Sequence, residues 1–443
     1  MRLAVVVQRY GADISGGAEL HARYVAERLA AHAEVRVLTT CAHEHVTWRN
    51  DFPPGADSLH GVEIERFRVD RPRDVIDFGR CSERVFNHTH SLDEELRWLL
   101  SEGPVCRDLV TRLRRSGDEF DVVLIFSVRY YQSYYAARTA AARAVLVPTA
   151  EREAAIGLQI FQPIFRGVRA IMYNSFEERA MINALSGNAH VPGDVVGVGS
   201  EVPARTDPDR ARAKYGLNNP YVTYVGRIEA NKGCAELFTY FTAYLDRSNR
   251  PLDLVLVGTP TMPVPSHPHI RHLGYVADAD KFDVMAGAEA LIMPSYFESL
   301  SMVVLEAWAL GRPVLVNAKC DVLVGQSLRS NAGLYYADVR EFEASLDRLL
   351  DQPRLRSALG ANGRDYFYRH YAWPVIEGKY LDMFARLKAE PPHHTMEPLP
   401  GWRQTRARLL PPAATTVSAL PVGPVLPSRQ AATVTAEGES GRT

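Results

Sequence analysis

The sequence predicts an α/β protein built from two parallel sheets, each with helices on both faces. Short apolar runs typical of buried strands alternate with amphipathic helical segments, and this alternation occurs twice along the chain. The length of 443 residues exceeds one ordinary domain, and 46% hydrophobic residues with 23% charged residues is a globular composition. A polar segment with two prolines, residues 202–209, separates the two alternating sets. We therefore expect one Rossmann-like domain over residues 1–203 and another over residues 204–371.

The first set begins with the apolar run of residues 3–8, which is too short for a signal peptide and predicts a strand. Apolar residues at helical spacing over residues 18–31 predict the first helix. Further strands are predicted at residues 34–39, 62–69 (at a sheet edge), 121–126, 144–148 and 170–173. Helical segments are predicted at residues 92–115 (one helix or two), 131–143 and 176–185.

The second set repeats the pattern after the polar segment. Its strands are predicted at residues 221–225, 252–257, 290–293 and 313–316. Its helices are predicted to start at Lys232 and to span residues 279–288, 301–310, 341–350, 354–370 and 373–388. Residues 391–443 are rich in Pro, Ala, Ser and Thr without periodicity, so a disordered tail is expected. The basic, aromatic stretch of residues 402–410 leaves a peripheral contact with an anionic membrane open, with a solvated tail as the alternative.

Composition excludes several classes of protein. A net charge of −1 gives no electrostatic reason to expect nucleic acid as a partner. The five cysteines are irregularly spaced and contain no C-x-x-C pair, which argues against a disulfide framework or a zinc knuckle. No stretch reaches the length of a transmembrane helix. These observations together predict a cytoplasmic protein.

The most informative segment is the loop and helix that follow the predicted strand at residues 290–293. Glu298 lies at the helix entrance and Glu306 two turns later, so both carboxylates fall near one face. Ser299 and Ser301 are small enough for a ligand to approach the backbone, and the free amides of a first helical turn favour an anion. Amides for phosphates and carboxylates for hydroxyls suit a nucleotide sugar; the alternative is an ordinary surface helix with two glutamates.

A second segment carries two cations at the end of another strand. Gly226 closes the strand at residues 221–225, and Arg227 and Lys232 lie in the loop before the next helix. Ligands of open α/β sheets bind beyond the carboxyl ends of strands, so these cations and the glutamates can face one crevice.

With the early Gly16-Gly17-Ala18-Glu19 loop, these motifs resemble the glycosyltransferase family 4 group of GT-B enzymes over roughly residues 1–390. The resemblance implies two Rossmann-like domains facing across a cleft, and a crossover helix at residues 372–390 that returns to the first domain. It implies transfer of a sugar from a nucleotide diphosphate donor with retained anomeric configuration and no metal or other cofactor. The acceptor would be a saccharide, a lipid-linked saccharide or a small metabolite.

The resemblance also implies roles for individual residues. Arg227 and Lys232 would hold the diphosphate, Glu298 would act on the transferred sugar, and Glu306 would accept hydrogen bonds from the ribose. Further donor-binding positions would be Gly16, Gly17, Gly226, Gly258, Val276, Ser299, Leu300 and Ser301. Glu19, at the start of the first helix, has either a role on the acceptor side or a simple interaction with the helix dipole.

One position departs from the family pattern. Many relatives carry a histidine near the donor sugar, after the strand at residues 144–148, where this chain has Glu151. Glu151 either replaces that histidine or marks altered chemistry. A sugar-phosphate synthase or phosphorylase of the same fold and a silent nucleotide-sugar-binding scaffold therefore remain as alternatives.

No metal site is expected from the sequence. The histidine pairs have no third ligand at recognisable spacing, and the Asp278-x-Asp280 string lies at a predicted helix start, where it is expected to cap the helix.

Overall fold

The computed structural model describes residues 1–14, 16–116, 118–391, 396, 397, 399, 413–418 and 420. Residues Met1–Pro400 form one compact unit. Within it, an eight-stranded sheet occupies the part of the chain before residue 204, here called the first half. A six-stranded sheet occupies the second half, residues 204–371. This confirms the predicted α/β class with two largely parallel sheets, while the boundary at residues 203–204 stays a prediction.

The first half starts with strand β1 and helix α1, as the sequence predicts. Its strands are β1 (Arg2–Val6), β2 (Glu34–Thr40), β3 (Gly55–Leu59), β4 (Val62–Phe67), β5 (Val122–Phe126), β6 (Ala144–Val147), β7 (Ala170–Tyr173) and β8 (Gly193–Val195). Its helices are α1 (Gly17–Leu29), α2 (Val75–Asn87), α3 (Leu92–Glu102), α4 (Arg107–Arg115), α5 (Tyr131–Thr139), α6 (Gln162–Gly167) and α7 (Phe176–Ser186). The strand order is β3-β4-β2-β1-β5-β6-β7-β8, and only β3 runs antiparallel to its neighbour.

The second half is a fully parallel sheet with the order β11-β10-β9-β12-β13-β14. Its strands are β9 (Tyr221–Val225), β10 (Asp253–Val257), β11 (Ile270–His272), β12 (Leu291–Met293), β13 (Val314–Asn317) and β14 (Gly333–Tyr336). Its helices are α8 (Pro208–Tyr215), α9 (Cys234–Ser248), α10 (Asp278–Gly287), α11 (Met302–Ala309), α12 (Asp321–Ser330), α13 (Val339–Asp351) and α14 (Pro353–His370). Every residue of the central strands β5, β9 and β10 is buried, because helices cover both faces of each sheet.

The structure corrects several boundaries. The strand predicted at residues 62–69 ends at Phe67 and is not the edge strand, because β3 pairs outside it. Strand β3 is polar and largely exposed, so it has no apolar alternation to reveal it. Helix α9 starts at Cys234 rather than at Lys232, which ends a 3-10 turn (Ala230–Lys232). Residues 92–115 form two helices, α3 and α4, separated at Gly103 and Pro104, where proline cannot continue a helix.

Helix α15 (Trp373–Ala389) follows α14 in the chain and packs on the first half. The Trp373 ring lies edge-on to Tyr24 of α1 at 5.9 Å, and the ammonium of Lys379 donates to the carbonyl of Val195, at the end of β8, at 2.9 Å. The buried Arg169 guanidinium donates to carbonyls at the end of α15, including Leu387 at 3.0 Å, and so satisfies groups that a helix end leaves without partners.

The segment predicted as a disordered tail begins with contacts to the first half. Met396 and Leu399 pack against its hydrophobic core, and Glu397 accepts from Arg166 at 2.7 Å. Residues 413–418 form a short helix, α16 (Ala413–Ser418). The basic stretch of residues 402–410 lies outside the described residues. Among the described helices, none is long and apolar enough to cross a membrane.

Candidate functional site

The site is built on strand ends where the strand order of the second sheet reverses. The chain passes from β9 outward to β10 and β11, and then returns to place β12 on the other side of β9. A crevice opens at such a switch point, outside the carboxyl ends of the strands. The loop after β9 carries Arg227 and Lys232, and the loop after β12 carries Glu298. The predicted residues therefore come from the two loops that flank one switch point.

Glycines let these loops approach one another. Gly226 and Gly258 end neighbouring strands with φ of 147° and 142°, and a Cβ on Gly258 would lie 1.9 Å from the Gly226 carbonyl oxygen. Gly233 has φ of 70°, and a Cβ there would lie 2.1 Å from the carbonyl oxygen of Pro294. At Gly233 and Gly258 no other residue fits without displacing backbone, and at Gly226 the positive φ disfavours any other residue. These glycines allow the loops that line the crevice to pack closely. This close packing was not evident from the sequence.

Lys232 and Glu298 form the central ion pair of the site. The Lys232 ammonium donates to Glu298 Oε1 at 2.8 Å, and both side chains are largely buried. Burial lowers the pKa of Lys232, but the nearby carboxylates of Glu298 and Glu151 outweigh it and the pKa is raised. Lys232 is therefore a fixed cation. Arg227 is 57% exposed, and its only ion pair among the described residues is a 3.5 Å contact with Glu229, so its guanidinium faces solvent.

Glu306 lies deeper, at 6% exposure, in the middle of α11. Lys281 of α10 donates to its Oε1 at 3.1 Å, while its Oε2 is buried and has no hydrogen-bond partner among the described residues. Burial raises the pKa of Glu306 more than Lys281 lowers it. A buried acceptor without a donor is unfavourable, so this oxygen suits a ligand hydroxyl. Lys281 was missed from the sequence, because nothing in the pattern links it to a residue on another helix.

Residues Ser299, Leu300 and Ser301 lead into α11, as predicted. Ser301 is the N-cap residue, but its side chain makes no capping hydrogen bond. The Ser299 hydroxyl accepts from Asn174 Nδ2 of the first half at 3.3 Å. This contact brings the end of β7 against the entrance of α11, and Asn174 is a neighbour of the site that the sequence did not predict.

Glu151 follows β6 in the first half and is within electrostatic range of the Lys232–Glu298 pair of the second half. The neighbouring charges on its carboxyl include Lys232 and Glu298. Burial is the main reason that the pKa of Glu151 is raised to about 7, and the charge of Glu298 adds to this, while Lys232 opposes it. No described residue hydrogen-bonds to its side chain. Glu151 is therefore close enough to Lys232 and Glu298 for their charges to shift its pKa, and its correspondence with the histidine of family 4 enzymes stays a prediction.

A second buried carboxylate, Glu178 of α7, holds this region in place. One of its oxygens accepts from the amide of Ala150 and the other from the amide of Asn174, each at 2.5 Å. Ala150 belongs to the loop that carries Glu151, and Asn174 is the residue that contacts Ser299. Burial raises the pKa of Glu178 to about 8, although both hydrogen bonds oppose the shift. This role of Glu178 could not be predicted from the sequence, because glutamate in a first helical turn is common.

The residues of the early glycine loop, Gly16 to Glu19, have different surroundings in the structure. Gly16 is the N-cap of α1, and a Cβ there would collide with the carboxylate of Glu19. Around Gly17 nothing lies within 4 Å of a Cβ, so the backbone is open to a ligand. Glu19 is buried, and its Oε1 accepts from Arg9 at 2.6 and 2.9 Å. The structure thus gives Glu19 an internal ion pair, which neither of the predicted roles included.

Val276 lies in the loop between β11 and α10. This loop is beside the end of β10, because the amide of Gly258 donates to the carbonyl of Gly274 at 2.8 Å.

The predicted cap at Asp278 is wrong. Helix α10 starts at Asp278, its N-cap is Ala277, and no side chain caps it. Asp280 instead accepts from Lys214 at 2.6 Å. Across the described residues, no group of three or more His, Cys, Asp or Glu side chains could hold a metal ion.

The amino-acid sequence of the chain is similar to that of known proteins. Residues 219–352 match the family described as glycosyl transferases group 1. This range contains β9 to α13 and therefore Arg227, Lys232, Glu298 and Glu306. A relative, the alpha-D-kanosaminyltransferase of Streptomyces kanamyceticus, is 30% identical over 179 residues, which is 36% of this chain and 44% of that protein.

Two solved structures cover nearly the whole fold. The sucrose-phosphate synthase of Thermosynechococcus elongatus superposes with a TM-score of 0.62 at 16% identity, covering 88% of this chain and 99% of that chain. Anabaena HepE in complex with UDP-glucose gives 0.63 at 15% identity, covering 87% and 100%. The chain has a GT-B fold. At these identities the likeness concerns the fold alone.

The sequence matches cover a smaller share of the chain than the structural matches do. They span 28% to 56% of the curated relatives' own lengths. The family match at residues 219–352 lies within the second half.

Proposed function

We propose that the protein is a glycosyltransferase that moves a sugar from a nucleotide diphosphate donor to a saccharide, lipid-linked saccharide or small-metabolite acceptor. The observation that carries the proposal is the Lys232–Glu298 pair at the switch point of the second sheet, inside the segment that matches the group 1 family. A related fold solved with UDP-glucose supports a nucleotide sugar as donor.

The site offers a role for each part of such a donor. Departure of the nucleotide builds negative charge on the β-phosphate, and the exposed Arg227 with the fixed ammonium of Lys232 can stabilise it. Glu298 lies where it can hydrogen-bond sugar hydroxyls and stabilise a developing positive charge. The unpartnered Oε2 of Glu306 accepts from a ribose hydroxyl. Because Arg227 and Lys232 can offset the charge of the phosphates, we propose that transfer needs no metal ion. We also propose, from the resemblance of the site motifs to family 4 enzymes, that transfer retains the anomeric configuration.

Binding and turnover test the proposal separately. Calorimetry with UDP, GDP and ADP identifies the base, and a panel of the corresponding sugars identifies the donor. Arg227→Ala should weaken nucleoside diphosphate binding about ten- to a hundredfold, the value of a charged hydrogen bond, whereas Arg354→Ala, an exposed arginine of α14, should not.

Turnover should persist in a chelator, and the product's anomeric coupling should match that of the donor. Unchanged nucleotide affinity in both Arg227→Ala and Lys232→Ala would contradict the assigned site. Activity that is lost with chelator and restored by manganese would contradict metal independence. Donor binding without any transfer or donor hydrolysis would favour the silent scaffold.

A further inference from the structure

A pocket of about 450 Å³ lies in the first half, apart from the donor-side residues. Its walls come from the segment after β4, the first turns of α2 and the end of α3, and its floor includes the buried Trp48. A volume of this size is typical of small-molecule sites. The residues that matter most are Arg71, Arg73 and Arg80.

The pocket has more positive than negative charge available to a ligand. Arg71 and Arg80 are exposed, and neither has a hydrogen bond or ion pair with any described residue. Two carboxylates also line the pocket, but Asp74 is occupied as the N-cap of α2, where it accepts from two amides. Asp74 keeps its negative charge, so both carboxylates oppose the three guanidinium groups of the lining, but Arg71 and Arg80 have N–H donors that no described residue occupies. Guanidinium groups of this kind bind phosphate in a bidentate manner.

Arg73 connects the pocket to the reaction site. Its guanidinium lies over the rings of Trp48 and Phe78, at 4.9 and 4.5 Å from their centroids, and pairs with Glu102 at 2.9 Å. Arg129 pairs with the other oxygen of Glu102 at 3.0 Å and with Glu153 at 2.5 Å. Glu153 is two residues from Glu151. A continuous chain of ion pairs therefore runs from the pocket wall to the loop beside Lys232 and Glu298.

We propose that this pocket binds an anionic, phosphate-type group of the acceptor. The proposal rests on the proposed function, because it names the class of acceptor that the same enzyme takes. A phosphate-bearing acceptor needs cations in the first half beyond those that serve the donor, and Arg71 and Arg80 supply them. The group belongs either to a free sugar phosphate or to a lipid headgroup, since Ile76 (68% exposed) and Leu100 border the pocket with apolar surface.

The test measures binding to the full-length protein without donor, at constant ionic strength. The probes are glucose 6-phosphate, with uncharged glucose as its counterpart, and phosphatidylglycerol vesicles, with zwitterionic phosphatidylcholine vesicles, which have no net charge, as theirs. The variant is Arg71→Ala/Arg80→Ala, which removes exposed side chains and leaves the melting temperature unchanged. Arg354→Ala is the matched control, and Arg227→Ala removes any phosphate binding at the donor site.

We expect one anionic probe to bind and its uncharged counterpart not to bind. The dissociation constant should rise at least about tenfold in the double variant and stay unchanged in Arg227→Ala and Arg354→Ala. Binding of the sugar phosphate assigns a free acceptor, and binding of only the anionic vesicles assigns a lipid headgroup. No anion binding, or equal binding by wild type and double variant, overturns the proposal. Because no donor is present, this result is independent of whether sugar transfer is observed.

Discussion

Glu298, before the start of α11, and Glu306, within α11, have different surroundings, and we expect them to act in different steps. Glu298 pairs with Lys232, which is proposed to bind the phosphates, whereas Glu306 is buried against Lys281, and its Oε2 has no hydrogen-bond partner among the described residues. Glu298→Gln keeps size and hydrogen-bonding reach but loses charge, so it should lower kcat and leave nucleoside diphosphate affinity nearly unchanged. Glu306→Gln weakens a contact made in ground and transition states alike, so it should mainly raise the donor KM, by about tenfold or more.

Steady-state kinetics with varied donor, combined with nucleoside diphosphate titration, distinguishes these effects. Glu289→Gln is the control, because Glu289 is also ion-paired in the second half, with Arg356 at 3.0 Å, but outside the site. Loss of nucleotide affinity in Glu298→Gln together with loss of kcat alone in Glu306→Gln would reverse the roles. Full activity in both variants would place the site elsewhere.

Stability of the fold favours the protonated form of Glu151, whereas the proposed reaction needs its ionised carboxylate. Its pKa of about 7 lies above its usual value because of burial. The folded state therefore favours the protonated form, and this contribution to stability is full below the unfolded pKa of about 4.5 and is lost as pH rises through about 7. A developing positive charge on the sugar, in contrast, is stabilised by the carboxylate.

We therefore expect the rate of the wild type to rise with pH, with an inflection near 7, and Glu151→Gln to lack that inflection. A pH profile of kcat/KM for both proteins checks this, because it reports the pKa of the free enzyme, with the exposed Glu34→Gln as control. If the wild-type inflection survives in Glu151→Gln, another group is responsible for it, and Glu151 does not take the histidine's place in the reaction.

At the scale of elements, the site depends on how α7 holds the ends of β6 and β7. Glu178 binds the amides of Ala150 and Asn174, and glutamine has one acceptor oxygen where two are needed. Glu178→Gln should lower kcat several-fold through displacement of Glu151 and shift the pH inflection, while leaving nucleoside diphosphate affinity unchanged. Glu177→Gln is the neighbouring control, since its side chain pairs with Arg329 of α12 instead. A loss of melting temperature with unchanged kinetics would reduce Glu178 to a structural role.

Elements with strong apolar periodicity were predictable from the sequence, and polar or short ones were not. The buried strands β1, β5, β9 and β10 are apolar runs because helices cover both their faces. Strand β3 is exposed, β8 and β11 have three residues each, and α2 buries a single residue. Such elements are held by their neighbours rather than by their own pattern, so a pattern search omits them.

The same dependence on local sequence pattern explains which residues of the site could be predicted across the whole molecule. Arg227, Lys232 and Glu298 lie at strand ends, and strand ends of a parallel sheet meet at one edge, so their proximity within the second half follows from topology. The contact of Asn174 with Ser299, and the approach of Glu151 to Lys232, join residues of different halves. Nothing in the local sequence encodes how two sheets face each other, so these partners required the structure.

The C-terminal segment gives a prediction about the molecule as a whole. Removing residues 401–443 should leave the melting temperature and activity unchanged, because it leaves the unit Met1–Pro400 intact. Removing residues 392–443 also deletes Met396, which packs against Gly167, and Glu397, which pairs with Arg166. Fully burying a Met side chain contributes about 1.5–3 kcal/mol, and Met396 is partly buried, so the shorter protein should melt about 1–2 °C lower. Calorimetry of the two truncations checks this. Equal melting temperatures would show that the docked residues contribute nothing, and a large loss in the longer protein would show that residues beyond 400 stabilise the fold.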